Sequence, residues 1–181
     1  MNKEYIPKKT RILDIINEAS DIKTFKLQGK LNSKPGQFVM LHIPGHDQRP
    51  FSIYIDDNDS FSLTIAKVGR FTKKLFEMKI SDNLVYTGPF GKPFQIKGKH
   101  IAMIGGGYGS APLTFLGKEA LKQGVKSELI IGARSKEFLL YKNNNYPVGI
   151  IRHYCTDDGS FGFKGYTTEK LKELFEQDKT I

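Results

Sequence analysis

Three short segments of this 181-residue sequence hold residue types suited to phosphate. The first is Ile104-Gly105-Gly106-Gly107-Tyr108-Gly109-Ser110-Ala111-Pro112, between an apolar run and a helical pattern. Glycines let a backbone approach a pyrophosphate closely and reach positive φ. The free N–H groups where the next helix starts favour an anion, and Pro112 suits that helix's first turn. Gly106, Gly107, Gly109, Ser110 and Pro112 are the candidate contacts. The spacing departs from the full dinucleotide fingerprint, and the next apolar run ends at Gly132-Ala133-Arg134-Ser135 instead of an acidic residue. The competing reading is a tight strand-to-helix turn without a ligand. The second segment is Arg49-Pro50-Phe51-Ser52. An arginine at a strand start can fork onto phosphate, and Ser52 can offer a hydroxyl to a flat heterocycle; a plain loop exit is the alternative. The third is Lys67-Val68-Gly69-Arg70-Phe71-Thr72, where backbone donors, a hydroxyl and basic side chains surround a helix start. Its alternative is a capped helix with an exposed basic turn. His42, His46, His100 and His153 fall in no metal-ligand spacing and read as ordinary surface or strand residues, so no metal site is expected. Cys155 is the single cysteine, which excludes an internal disulfide, a cysteine-held iron–sulfur cluster and a structural zinc.

These segments need elements to position them. The first half reads as β. Arg11–Ile16 is β-branched, Ile22–Leu27 alternates with period two, Gln37–Ile43 follows Pro35-Gly36, Phe51–Ile55 ends in a polar loop, and Phe61–Val68 alternates again. A short helix over Thr72–Met78 and a strand over Asn83–Thr87 follow. Six short strands broken by turns predict an antiparallel barrel or sandwich. The pattern then changes. Ile101–Ile104, Glu128–Gly132 and Val148–Cys155 read as buried parallel strands, with helices over Ala111–Gln123 and Thr167–Glu176. That alternation predicts a parallel α/β domain. The expected domains are residues 1–97 and 98–181.

Apolar content of 39%, with 12% aromatic, excludes disorder. The net charge of +9 favours anionic partners, and its spread along the chain argues against a nucleic-acid tail. The N-terminus lacks an apolar leader core, and no run approaches the roughly 18 apolar residues of a membrane span. A cytoplasmic protein is expected.

In their order and β-then-α/β background, the three segments resemble the ferredoxin–NAD(P) reductase superfamily. Arg49-Pro50-Phe51-Ser52 is similar to its flavin motif. Gly69 and Thr72 are similar to the loop that holds the FAD pyrophosphate, Gly88-Pro89-Phe90-Gly91 to the turn ending the barrel, and the glycine cluster to the nicotinamide-dinucleotide loop. The glycine run, Gly132-Ala133-Arg134-Ser135-Lys136 and Thr156-Asp157-Asp158-Gly159-Ser160-Phe161-Gly162-Phe163-Lys164-Gly165 resemble the electron-transfer subunits of heteromeric dihydroorotate dehydrogenases. The resemblance implies a Greek-key FAD-binding barrel, a parallel-sheet NAD-binding domain and an FAD-dependent NAD(P)H oxidoreductase subunit of pyrimidine biosynthesis. Its partner would be the FMN-containing dihydroorotate dehydrogenase catalytic subunit. Flavin subunits of hydrogenases and of ferredoxin-dependent transhydrogenases share much of the pattern. A scaffold that keeps the fold without catalysis is the alternative from another class.

The resemblance also assigns roles. Arg49 and Pro50 would flank FAD, and Ser52 would stand at the flavin's reactive edge as the catalytic candidate. The backbone of Ile65, Ala66 and Lys67 would face the ring or ribityl chain, with Gly69, Phe71 and Thr72 on the diphosphate. Gly106, Gly107 and Gly109 would admit the dinucleotide for hydride transfer to the flavin. Asp157 or Asp158 would accept the adenine ribose hydroxyls and repel a 2′-phosphate, while Arg134 favours one; NAD over NADP is the expectation. The competing reading has both aspartates capping the Gly159-Ser160 turn. Family members continue into a strand ending in Cys-Gly-Pro and a [2Fe-2S] cysteine loop. This sequence stops at Lys179-Thr180-Ile181, so the second domain is expected to be incomplete and the cluster not to be ligated by this chain.

Overall fold

A computed structural model describes residues 5–140 and 148–180. The chain divides into two compact units, Met1–Phe94 and Gln95–Ile181.

The first unit is a seven-stranded sheet. Its strands are β1 (Lys8–Ala19), β2 (Ile22–Gln28), β3 (Phe38–His42), β4 (Gln48–Ser52), β5 (Ile55–Asp56), β6 (Ser60–Ala66) and β7 (Asn83–Phe90), with α1 (Arg70–Glu77) between the last two. They lie in the order β4-β3-β7-β1-β2-β6-β5, all neighbours antiparallel. β4 also packs near β6, so the sheet curls on itself. Alternation supplies the core: Val39 and Leu41 of β3, Phe25 and Leu27 of β2, and Phe61 and Leu63 of β6 are fully buried. Phe76 of α1 meets Phe25 with ring centroids 5.8 Å apart.

Several boundaries move from expectation: β1 extends at both ends, β6 ends at Ala66, β7 runs on to Phe90, and two further shifts have a visible cause. The strand expected over Phe51–Ile55 is instead β4 and the short β5. β4 takes in Pro50 because it ends the sheet order, where a missing N–H breaks no ladder. The helix expected from Thr72 starts at Arg70, because the Thr72 hydroxyl reaches back to accept from Val68 N (3.0 Å) and Gly69 N (2.9 Å).

The second unit is a parallel sheet of β8 (His100–Gly106), β9 (Lys126–Ala133), β10 (Ile151–Thr156) and β11 (Phe163–Lys164), in the order β11-β10-β9-β8. Helix α2 (Ala111–Lys122) joins β8 to β9, and α3 (Thr167–Gln177) follows β11. α2 sits close because Gly117 has no side chain: a Cβ there would lie 2.6 Å from Ile150 Cδ1 and 3.0 Å from Met103 Cε. Leu171 and Leu174 of α3 pack on Ile130 and Cys155. The strand expected from Val148 begins at Ile151, and Val148 is exposed in a turn. β11 is an unexpected strand, two residues long and paired with the end of β10. No helix among the described residues is long and apolar enough to cross a membrane.

Candidate functional site

The main feature of the first unit is a pocket of about 580 Å³ lined by Gly45, His46, Asp47, Arg49, Pro50, Phe51 and the turn Val68–Thr72. It joins two of the three phosphate-suited segments, which lie about twenty residues apart in sequence. Arg49 projects from exposed edge strand β4. It holds Asp47 Oδ2 at 3.1 Å and donates to Gln48 O at 2.9 Å, with its side chain 54% exposed. Such an exposed pair is worth little, so the guanidinium can exchange Asp47 for an anion. Opposite stands the start of α1. The first-turn amides of Arg70 and Phe71 point out of the start of the helix, where backbone donors suit an anion. The space where a Gly69 Cβ would stand is open. The Phe51 and Phe71 rings pack with centroids 5.8 Å apart and form a wall.

Several assigned roles change. The Thr72 hydroxyl is not aimed at a ligand: it accepts from two amides and donates to Gly69 O at 3.0 Å, so it shapes the turn. Lys67 leaves the pocket altogether. Its N–H donates to Asp21 O at 2.8 Å and its ammonium pairs with Asp21 Oδ1 at 3.0 Å. Ser52 is exposed at the end of β4, outside the pocket lining. Ile65 and Ala66 are buried in β6, where β2 pairs them on one side; β5 pairs β6 only at Phe61 and Ser62, so among the described residues no strand pairs the other edge beside them. Asp47 also lines the pocket, as do His46, which read as an ordinary residue, and Arg70, which was named only within the basic turn and given no role of its own. The basic turn around Gly69 was the signal that could have pointed to Arg70.

In the second unit the glycine segment forms a 3-10 turn over Gly107–Ser110 at the carboxyl end of β8. Gly106, Gly107 and Gly109 have open space where a Cβ would be, and Gly107 has φ +50. The backbone here is bare to an incoming ligand. Gly105 has the other glycine duty: a Cβ there would strike the Ser110 backbone, so β8 and α2 could not meet as they do. Ser110 is fully buried and its hydroxyl donates to Gly107 O at 2.7 Å. It braces the turn and does not face a ligand. Pro112 stands in the first turn of α2.

At the end of β10 the two aspartates separate. Asp158 Oδ1 accepts from Ser160 N (2.9 Å) and Ser160 Oγ (2.6 Å), bonds that hold its carboxyl below the usual range. Asp158 therefore caps the turn, as the competing reading has it. Asp157 is exposed, and its N–H donates to Ala133 O. Asp158 N donates to Arg134 O, so the ends of β9 and β10 and their loops are tied together.

His100 and His153 are strand residues, in β8 and β10, as the sequence reading allowed, but they are not ordinary ones. Both bond the carboxylate of buried Glu128, at 2.9 and 2.8 Å, with Lys126 and Asp178 alongside. Sequence spacing could not show this, because the three strands meet only through the parallel register. Cys155 is buried, which pushes its thiol pKa up. A [2Fe-2S] cluster takes four ligands, usually thiolates, and these residues do not provide them.

Residues 9–94 match a family model described as an oxidoreductase FAD-binding domain. A relative from Methanocaldococcus jannaschii, named "probable dihydroorotate dehydrogenase B (NAD(+)), electron transfer subunit", is 44% identical over 169 residues, which cover 93% of this chain and 64% of the relative. One from Thermococcus kodakarensis with the same name is 38% identical, covering 92% of this chain and 69% of the relative. The chain thus spans about two thirds of the length of these relatives. A solved structure described as an NADH-dependent reduced ferredoxin-NADP oxidoreductase superposes with a TM-score of 0.82 at 26% identity, covering 93% of this chain and 64% of that one. A ferredoxin reductase of carbazole 1,9a-dioxygenase gives 0.83 at 22%, covering 93% and 56%, which supports the fold alone. An antiparallel sheet followed by a parallel sheet is the fold that the superposed structures share with this chain, and at 38% identity over 69% of the Thermococcus kodakarensis relative this chain belongs to the family of dihydroorotate dehydrogenase B electron-transfer subunits.

Proposed function

We propose that this chain is the flavin- and nicotinamide-binding part of an electron-transfer subunit. It would hold FAD in a domain of residues 1–97 and read NAD(H) with residues 98–181. Electrons would pass between NAD(H) and a partner redox protein. The observation that carries this is the pocket facing Arg49 and the open start of α1. It offers two separate anion-binding groups, and FAD has two phosphates where FMN has one. The open space at Gly69, Gly106 and Gly109 leaves room for close backbone approach.

Bound FAD would supply the redox chemistry, while the protein binds and orients. Arg49 would fork onto one phosphate, and the amides of Arg70 and Phe71 with the Gly69–Thr72 turn would hold the other. Pro50 and Phe51 would wall the site. Ser52, with the Ile65–Ala66 edge of β6, would offer polar groups to the ring system. Gly106, Gly107 and Gly109 would admit the dinucleotide, and Asp157 would accept the ribose hydroxyls. The relatives are named as electron-transfer subunits of dihydroorotate dehydrogenase B; the partner of this chain would be an FMN-containing dihydroorotate dehydrogenase catalytic subunit, and the site of action the cytoplasm. The test is to purify the full protein and identify extracted cofactor by mass. FAD is expected; FMN alone, or a colourless protein that FAD cannot reconstitute, refutes the reading.

A further inference from the structure

Helix α3 covers a buried polar cluster at the amino ends of three strands. Glu128 Oε1 accepts from His100 Nε2 at 2.9 Å and from Lys126 Nζ at 3.1 Å, and Oε2 accepts from His153 Nε2 at 2.8 Å. The His100 and Glu128 side chains are 3% and 6% exposed. On the far side of the His100 ring, Nδ1 lies 2.9 Å from Thr180 Oγ1 and 3.4 Å from Asp178 Oδ2. Lys126 Nζ also reaches Asp178 Oδ2 at 3.2 Å. Glu173 of α3 acts on His153 from further away.

Both ring nitrogens of His100 are engaged, Nε2 with Glu128 and Nδ1 with Thr180, and Thr180 is itself tied to Asp178 Oδ1 through its N–H (2.9 Å) and its hydroxyl (2.6 Å).

This arrangement does not describe a metal site. All four carboxylate oxygens of Glu128 and Asp178 already accept, and the Lys126 ammonium lies between the two groups. Nor is it an economical way to stabilise a fold, because apolar residues can fill such a site at no loss. What it does supply is a fixed position for the end of α3. The other end of α3 is fixed too. A Cβ on Gly132 would strike the Thr167 methyl, so the helix start lies directly on β9. Glu169 accepts from Tyr166 N at 2.8 Å, and Gly165 N donates to Thr156 O. At 11 residues α3 spans about 16 Å. It is a rod from the cluster to the loops that carry Arg134 and Asp157.

We propose that His100, Glu128 and Asp178 form a latch that holds α3 in register and so positions the Gly132–Arg134 and Asp157–Gly165 loops for the dinucleotide. They are positioning residues, and the dinucleotide half of the idea rests on the function proposed above. The test uses the full protein with Asp178→Asn, which keeps the size of a side chain 34% exposed, and with His100→Gln. Three quantities are read: amide exchange along α3, steady-state NADH oxidation with ferricyanide as acceptor, and flavin content. The last turn of α3 should exchange about tenfold faster or more. The KM for NADH should rise roughly 3–10-fold, a typical size for coupling through a packed element, with kcat and flavin content unchanged. Faster exchange with an unchanged KM overturns the positioning role while leaving the function intact. Unchanged exchange overturns the latch. If the wild type neither holds flavin nor oxidises NADH, the function fails, and exchange still decides the latch. Stoichiometric zinc in the purified protein, lost in His100→Gln, would show a metal site in its place.

Discussion

Arg49 is bound to Asp47 across an exposed pair, yet its fork and five donors suit phosphate better than one carboxylate oxygen. Replacing it by alanine should weaken FAD binding by about 1.5–3 kcal/mol, the usual cost of a lost charge-assisted bond. Fluorescence titration of apoprotein measures this, and an unchanged affinity would remove Arg49 from the phosphate site. The two aspartates after β10 make a sharper contrast at the same scale. Asp158 is engaged by Ser160 twice, whereas Asp157 shows no such cap among the described residues. Asp157→Ala should therefore shift the NADH/NADPH preference toward NADPH, by repulsion no longer felt by a 2′-phosphate. Asp158→Ala should mainly lower stability by loosening the turn. The ratio of kcat/KM values for the two cofactors separates them, and equal shifts in both variants would contradict the assignment.

At the scale of elements, α3 and the start of β9 carry a pH dependence. Burial works to raise the Glu128 carboxyl, but bonds from His153, Lys126 and His100 outweigh it and hold it below 4.5. Asp178 is drawn down from 3.8 to about 2 by its bonds from Thr180 and then Lys126. Both are carboxylates whose folded value lies below the unfolded one, so the stability they add is complete at neutral pH and disappears as pH falls through the folded values. The end of α3 should loosen between about pH 4.5 and pH 2. Amide exchange against pH should show the last turn of α3 opening in that window in wild type and earlier in Asp178→Asn. No difference between the two would mean the bonds do not hold the helix. At the other end of the same sheet, Gly105→Ala should destabilise the protein by about 1–3 kcal/mol, because the added methyl meets Ser110 backbone with no room to yield. Denaturant midpoints check this, with Gly106→Ala, which faces open space, as the control.

For the whole molecule, ligand binding and stability are linked. A cofactor that binds only the folded chain adds about 2.7 kcal/mol at 100 times its Kd. Thermal unfolding should therefore shift upward with added FAD and much less with FMN, because FMN has one phosphate for a pocket with two anion-binding groups. Equal shifts with both flavins would defeat the two-phosphate reading. The charge of +9 acts at this scale as well. It attracts acidic partners and anionic cofactors from a distance, and that attraction is screened beyond about 8 Å at physiological salt.

How much of this was legible depended on how far apart the interacting residues lie. Period-two alternation marked β2 and β6, and apolar runs marked β8 and β9, because each depends on neighbours two to four positions away. The basic turn at Gly69–Thr72 and the glycines at 105–109 were visible for the same reason. The inclusion of Pro50 in β4 was not, since an edge position depends on the sheet order. Nor was the meeting of Arg49 with Val68–Thr72 around one pocket. Residue types alone left Asp157 and Asp158 equivalent, and the turn geometry at Ser160 separated them. The Thr72 and Ser110 hydroxyls looked like ligand groups until their own turns were seen to use them. The cluster of His100, Glu128, His153 and Asp178 was wholly hidden, because its members come from four separate elements. The sequence by itself determined the elements and the phosphate-suited turns, through local spacing and backbone freedom. Only the tertiary structure decided which polar groups are spent on each other and which face a ligand, because that depends on strand register and helix placement across long stretches of chain.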